Sequence, residues 1–357
     1  MPTPQAPQVF PEWMPPHLRL MQLVASKWIT QPLLALARLG VADLLAEEPR
    51  TVEDLAAHCN VLPDPLRRCL RAASSVGVFT ELDDGRFSPT PMSEHLRPGV
   101  PLSLRDLALF LGDESTTRSF AQIMDVLRTG EPAFETANGA PMFAYLDDHP
   151  ELLATYQGSW APLTEGVAQA LLEAVDFNAY GTIADLGGGN GALLRVLLNA
   201  CPDATGILLD RPETIRQAHP DLDDGPLSSR VRLLGGMLPG GIPQDADAYI
   251  IKNTLHCLGE ATVKDTLRAV RTAIGERQDA RLFLIESMVV PGNGYDWGRF
   301  VDVEVMINCG GRVHTRDEWD DLLPECGFAL ESVRDLLPPQ WLIIARPAVA
   351  VSGAWPR

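Results

Sequence analysis

The stretch Thr182–Leu194 reads TIADLGGGNGALL. Its apolar part, Ile183, Ala184 and Leu186, closes on an acid, Asp185, and then on Gly187, Gly188, Gly189 and Gly191. A leucine-rich segment, ALLRVLLNA, follows directly, so the order predicted is strand, tight turn, helix. Glycines in such a turn let backbone N–H groups approach a ligand that a Cβ would keep away. The start of the helix behind them favours negative charge. A second acid, Asp210, closes the next apolar run, GILLD, where a carboxylate can take both hydroxyls of a ribose. The stretch predicts a nucleoside-bearing cofactor held across two adjacent strand ends.

Gly187, Gly189 and Ala192 also satisfy the dinucleotide pattern G-x-G-x-x-G/A, which is weak evidence alone. Two features argue against a nicotinamide or flavin enzyme. Asp185 stands two residues before the first glycine, where dinucleotide-binding strands carry an apolar residue, and Gly191 adds a fourth glycine to a motif lying mid-chain. The combination DLGGGNG resembles motif I of S-adenosylmethionine-dependent methyltransferases.

Outward from this motif, strands and helices alternate to the C-terminal end, which predicts a parallel α/β sheet. The strands are TIADLG, TGILLD, VRLLGG, DAYIIKN, LFLIESM, ALESVRD and QWLIIAR. The last two lack a full helix between them, so an antiparallel hairpin is expected at the sheet edge. Towards the N-terminus, residues 101–178 read as mostly helical, with Phe110, Phe120, Phe134, Phe143, Tyr145, Tyr156 and Trp160 as core or as walls of an apolar pocket. Residues 51–90 resemble a winged helix: Thr51 caps TVEDLAAHC, DPLRRCLRAASSVG follows, and FTELDDGRFSPT is a hairpin with an Asp-Gly turn. This segment carries four basic residues against six acidic, so a recognition helix for DNA is not expected. Leu18–Leu45 has helical apolar spacing, with a kink or restart expected at Pro32. Residues 1–16 are proline-rich and read as an arm.

The 357 residues allow two domains, and an apolar share of 46% supplies a large core. The net charge of −18 argues against nucleic acid as a partner. The six cysteines form no metal-binding spacing and suit a reducing cytoplasm. No basic-then-apolar leader opens the sequence, and no apolar run approaches the roughly 20 residues that span a bilayer. Neither a signal peptide nor a membrane partner is expected.

Motif I, the winged-helix start and the segment RTGEPAFETANGAPMFAYLDDHPELLATYQGSW, taken together, resemble the small-molecule O-methyltransferases of the caffeate/hydroxyindole type, especially the bacterial branch that tailors polyketides. The resemblance runs from about residue 20 to residue 347. It implies an α/β fold, a Rossmann-like class I methyltransferase sheet preceded by a mostly helical, winged-helix dimerisation domain. The expected domains are 17–100 for dimerisation, 101–178 as a helical linker and substrate-pocket segment, and 179–350 for the catalytic domain. It also implies a homodimer, S-adenosylmethionine as methyl donor with S-adenosylhomocysteine as product, no metal, and a small aromatic acceptor.

Residue by residue, the resemblance assigns Asp185, Gly187, Gly189 and Asp210 to the cofactor. The family's G-D-(F/M)-F motif appears as Gly235-Gly236-Met237-Leu238, so the acid is missing at Gly236 while Met237 can still pack on the adenine. Lys252, in IIKNTLH, matches a lysine near the cofactor carboxylate. His256 is the expected general base, and Glu286, in LFLIESM, the carboxylate that holds its imidazole. Two departures stand out. His256 is followed by Cys257-Leu258 where relatives carry Asp-Trp, and Val313 replaces a second glutamate in Gly310-Gly311-Arg312-Val313-His314-Thr315. His314 reads as a neutral surface residue. On the acceptor side the expected residues are Trp160, Met306 and Asn308. Of Asp302, Glu304 and Asn308 in FVDVEVMINCGG, helical spacing allows at most a pair to face inward, and Asn308 ranks first.

The chemistry expected is methyl transfer to a hydroxyl, phenolic by preference, of a bulky aromatic or polyketide metabolite. A histidine titrating near neutrality suits removal of a phenolic proton. The alternative keeps the cofactor pocket for a non-methylating reaction: hydroxylation, decarboxylation or rearrangement. The losses beside His256 and at Val313 lean towards that alternative.

Overall fold

A computed structural model describes residues 14–348; all but the last three residues of the expected N-terminal arm lie outside them. The chain forms two compact units. One runs to Arg118 and takes in Pro150–Leu163; the other comprises Ser119–His149 and the chain from Thr164 onward. The segment 101–178 thus contributes to both.

In the first unit, the span Leu18–Leu45, expected as helix with a kink or restart at Pro32, is divided among the helices Pro16–Val24, Lys27–Arg38 and Val41–Leu44. The break falls at Ala25–Ser26, and Pro32 sits inside the second helix without ending it. Thr51 caps the helix Val52–Cys59 by accepting the Asp54 N–H at 3.2 Å. The helix Pro63–Ser74 buries Leu66, Leu70 and Ala73, one stripe at helical spacing. Strands β1 (Phe79–Glu81) and β2 (Phe87–Pro89) pair antiparallel as the expected hairpin. Leu36, Leu45, Leu55, Leu70, Phe79 and Phe87 form the core. Among the described residues Leu20, Leu23, Val24 and Trp28 remain exposed.

The second unit is built on seven strands: β3 (Thr182–Leu186), β4 (Thr205–Asp210), β5 (Val231–Gly235), β6 (Ala248–Lys252), β7 (Arg281–Ser287), β8 (Phe328–Asp335) and β9 (Gln340–Pro347). Their order in the sheet is β5-β4-β3-β6-β7-β9-β8. The first five are parallel, and β9 runs antiparallel to both β7 and β8. Only Leu336–Pro339 separate β8 from β9; so short a link can only reverse the chain. Apolar clusters cover both faces, which is why strands such as LFLIES read as nearly unbroken hydrophobic runs. The chain leaves β3 towards β4 on one side and reaches β6 on the other, so the strand order reverses at β3. Ligands bind in the crevice outside the carboxyl ends of strands at such a reversal. The ends of β3, β4 and β6 carry Asp185, Asp210 and Lys252.

Candidate active site

At the end of β3 the chain turns through Gly187 and Gly189, with φ of 71° and 62°. Both lie in the left-handed region, where a side chain is strained. The Gly187 N–H donates to Leu209 O at 2.7 Å, and the Thr254 hydroxyl donates to Gly187 O at 3.2 Å. A Cβ at Gly187 would stand 2.6 Å from Thr254 Cγ2, whereas one at Gly189 would meet nothing within 4 Å. The loop is therefore packed on one side and open on the other. Asp210 ties it to β4: Oδ2 accepts the Gly189 N–H at 2.8 Å and Oδ1 the Arg211 N–H at 2.7 Å. A carboxylate has about four acceptor positions, so Asp210 retains capacity for two further donors. The Arg211 side chain donates to Asp147 and Phe143 O and lies over the Phe143 ring, pinning the helix Met142–Asp148 beside the end of β4.

Asp185 is buried, and neither carboxyl oxygen has a well-formed hydrogen bond. Burial pushes its pKa up to about 7, against the pull of Lys252. Lys252 forms no ion pair among the described residues, and burial lowers its pKa despite Asp185 and Glu286. A buried orphan carboxyl beside a half-buried, unpaired ammonium leaves polar groups that the chain itself does not satisfy. With the open face of Gly189 and the spare capacity of Asp210, this donor and acceptor set fits a zwitterionic nucleoside: hydroxyls at Asp210, an amino acid moiety towards Lys252. Gly236 packs on Leu209, and Met237 is 68% exposed on the loop beyond β5.

Beyond β6, Asn253 takes φ 50°, a left-handed conformation that asparagine tolerates, and a short turn over Leu255–Cys257 follows. The parallel register pairs Lys252 with Ile285, so Glu286 stands one residue past the pairing and faces that turn. Glu286 Oε1 accepts the N–H groups of Thr254 at 3.1 Å and Leu255 at 3.0 Å, and Oε2 lies 2.5 Å from His256 Nδ1. The Glu286 side chain is 2% exposed and that of His256 11%. Burial lowers the His256 pKa, but Cys257 and Glu286, both hydrogen-bonded to it, outweigh burial and hold it well above its ordinary value. A hydrogen bond to Cys309 and burial keep Cys257 a neutral thiol, so the lasting negative charge is that of Glu286. With Nδ1–H directed at a carboxylate, Nε2 is the ring nitrogen left to take a proton.

Of the three polar residues on the helix Trp297–Asn308, Glu304 and Asn308 are the inward pair: Asn308 Nδ2 donates to Glu304 Oε1 at 3.0 Å, and Asn308 is buried. Asp302 instead accepts the Val313 N–H at 2.8 Å. Met306 packs against Val126 and Ala133. His314 corrects the surface reading: it is buried against Trp319, and burial lowers its pKa, so it is neutral as expected. Trp160 lies on the helix Pro150–Ala174, in the part of it that belongs to the first unit. Sequence reasoning missed Thr254 and Arg211. Thr254 gave no signal beyond its place in KNTLH; the arginine directly after Asp210 could have been weighed as a tether.

The described residues contain no cluster able to hold a metal ion, and no helix among them is long and apolar enough to cross a membrane. The family model of the O-methyltransferase domain matches residues 120–329, and that of the O-methyltransferase dimerisation domain matches residues 21–99. The chain is 35% identical to a phenazine O-methyltransferase of Lysobacter antibioticus, over 92% of this chain and 95% of that one. It is 34% identical to the O-demethylpuromycin-O-methyltransferase of Streptomyces alboniger, over 92% and 89%. Among solved structures, an O-methyltransferase from neocarzinostatin biosynthesis in complex with S-adenosylmethionine and 2-hydroxy-5-methyl naphthoic acid superposes with a TM-score of 0.78 at 25% identity, covering 92% of this chain and 98% of that one. The chain belongs to the O-methyltransferase family. It is an S-adenosylmethionine-dependent O-methyltransferase with an N-terminal dimerisation domain, and it works as a homodimer.

Proposed function

We propose that this enzyme methylates a phenolic hydroxyl of a bulky aromatic secondary metabolite, in the cytoplasm, with His256 as the general base. The observation that carries the reading is the 2.5 Å contact of His256 Nδ1 with Glu286, whose other oxygen takes two backbone N–H groups. That arrangement fixes the tautomer and leaves Nε2 as the acceptor. A phenol has a pKa of about 10. A histidine raised by a buried carboxylate narrows the gap to that value, so it takes the proton more readily as the oxygen is methylated.

S-adenosylmethionine supplies a sulfonium-activated methyl group when bound. Asp210, Gly187 and Gly189 are the residues that would hold its ribose and the adjoining chain, Asp185 and Lys252 its charged amino acid end, and Met237 its adenine. Asn308 and Met306 are proposed for the acceptor ring. His256 takes the proton and Glu286 stabilises the imidazolium. Alignment of the two reactants supplies much of the rate. Six free cysteines are in keeping with a reducing cytoplasm. Both similar methyltransferases modify small aromatic-bearing molecules by name, which supports the acceptor class and favours methyl transfer over the non-methylating alternative.

The test is incubation with methyl-labelled donor and a panel of polycyclic phenols. Label on a phenolic oxygen, lost in His256→Ala while S-adenosylhomocysteine still binds, is the expected result. Turnover of a panel member without label transfer would overturn the reading.

A further inference from the structure

The glycine loop and the catalytic turn leave different strands, β3 and β6, and Thr254 joins them. It stands between the left-handed Asn253 and the turn Leu255–Cys257 that holds His256. Its hydroxyl lies 3.2 Å from Gly187 O and 3.0 Å from Lys252 O, so one proton is shared between the loop and the end of β6. Its methyl group packs over Gly187, where a Cβ would stand 2.6 Å from Cγ2 and 2.7 Å from Oγ1. Its N–H donates to Glu286 Oε1 at 3.1 Å, and the other oxygen of that carboxylate meets His256. A β-branched side chain is stiff about χ1, so the hydroxyl and the methyl group are held in place together. Other ties of the loop run to β4: the Gly187 N–H to Leu209 O at 2.7 Å, and the Gly189 N–H to Asp210 Oδ2 at 2.8 Å. Thr254 ties it to the catalytic turn instead.

Methyl transfer needs donor, acceptor oxygen and base in one alignment, and a misplacement of about 1 Å can cost on the order of 10²-fold. The loop places the donor and the turn places the base. We propose that Thr254 is a positioning residue whose hydroxyl sets the spacing between the S-adenosylmethionine loop and the His256 turn. The inference rests on the reading of His256 as general base. The charge beside the imidazole is that of Glu286, and the Thr254 N–H stays on Glu286 whatever the side chain. Thr254 therefore acts on alignment and Glu286 on proton affinity, and a pH profile separates the two.

The experiment compares Thr254→Val, which keeps the shape and loses the hydroxyl, with Thr254→Ser, which keeps the hydroxyl and loses the methyl group. The full-length enzyme is given methyl-labelled S-adenosylmethionine and a phenol that the wild type methylates, and kcat is followed against pH with both reactants saturating. Calorimetry with S-adenosylhomocysteine reports that each variant is folded. Thr254→Val should lower the plateau of kcat by about 5- to 20-fold while its rising limb stays at the wild-type pH. Thr254→Ala, which cannot clash, should be slowed at least as much. Thr254→Ser should return to within about 2-fold of the wild type. Wild-type kcat in Thr254→Val, or equal slowing in Thr254→Ser and Thr254→Val, would reduce the residue to packing and overturn the proposal. A limb displaced in Thr254→Val would overturn it as well, because the change would then act on the base itself. A wild-type profile with no rising limb would instead overturn the general-base reading, and this inference with it.

Discussion

Two buried carboxyl groups stand at the carboxyl ends of strands in one sheet, and they are treated in opposite ways. Glu286, on β7, receives three donors from the protein: two backbone N–H groups and His256. Asp185, on β3, receives no well-formed hydrogen bond, and burial pushes its pKa up to about 7. The first is complete in the ligand-free chain and serves to orient another side chain. The second is desolvated with the charge of Lys252 opposing the shift only in part, and Lys252 forms no ion pair among the described residues. The difference separates a preassembled acid–base pair from a binding end that the methyl donor completes.

The contrast can be broken at its catalytic side first. Removing a general base costs typically 10²–10⁴-fold. His256→Ala should lower kcat by about 10²-fold, the low end, because alignment of donor and acceptor carries much of this reaction. The affinity for S-adenosylhomocysteine should hardly change. Combining it with Glu286→Gln should cost little more than the single change, since the two act as one unit. Full turnover in His256→Ala, measured at saturating donor, would reduce the histidine to a wall of the site.

The binding side gives a smaller effect of the opposite kind. Asp210→Asn should weaken S-adenosylhomocysteine by about 1–3 kcal/mol, through lost acceptors for the ribose and for Gly189 N–H. In isothermal titration calorimetry NAD should show no binding to either protein. An unchanged affinity in Asp210→Asn would leave Asp210 as a brace for the glycine loop alone.

The pH dependence of stability sharpens the contrast further. A carboxyl whose pKa is raised on folding stabilises the folded state below its unfolded pKa, and that contribution is lost as pH rises through the folded value. For Asp185 the window runs from about 4 to about 7. Thermal melting of the wild type should therefore lose ground to Asp185→Asn between about pH 4 and about pH 7, by of order a few kcal/mol. Parallel curves for the two proteins across that range would show that Asp185 is not desolvated.

Much of this arrangement was legible in the sequence, for identifiable reasons. The inner strands β3, β4, β6 and β7 are mostly apolar runs with polar ends, because a sheet covered on both faces leaves no room for alternation, while the edge strands β5 and β8 carry polar residues among the apolar ones. The edge hairpin followed from the short link between β8 and β9. The glycine loop showed itself because its left-handed backbone and the close approach of Thr254 at Gly187 favour glycine. What stayed hidden depends on register or on packing from afar. Glu286 could be placed at a strand end, but its seat beneath the His256 turn follows from the pairing of Lys252 with Ile285. The break at Ala25–Ser26 carries neither glycine nor proline, while Pro32 lies within the second helix, so local signals pointed to the wrong residue. His314 looked like a surface residue because one polar side chain between Val313 and Thr315 has no period; Trp319, from the following helix, covers it. Helical spacing did limit the inward pair on Trp297–Asn308, but only the hydrogen bond identified it as Glu304 with Asn308.

The central claim is that a buried carboxylate sets the basicity of His256. The pH dependence of kcat at saturating donor tests it most directly, comparing the wild type with Glu286→Gln. Nε2 can accept a proton only when the imidazole is neutral, so the rate should rise with pH through the histidine pKa. Glu286 favours the imidazolium, which places the wild-type limb above the ordinary histidine value. In Glu286→Gln that limb should move to lower pH while the plateau falls, because the charge and the fixed tautomer are both lost. A limb that stays where it is, or moves to higher pH, would contradict the account.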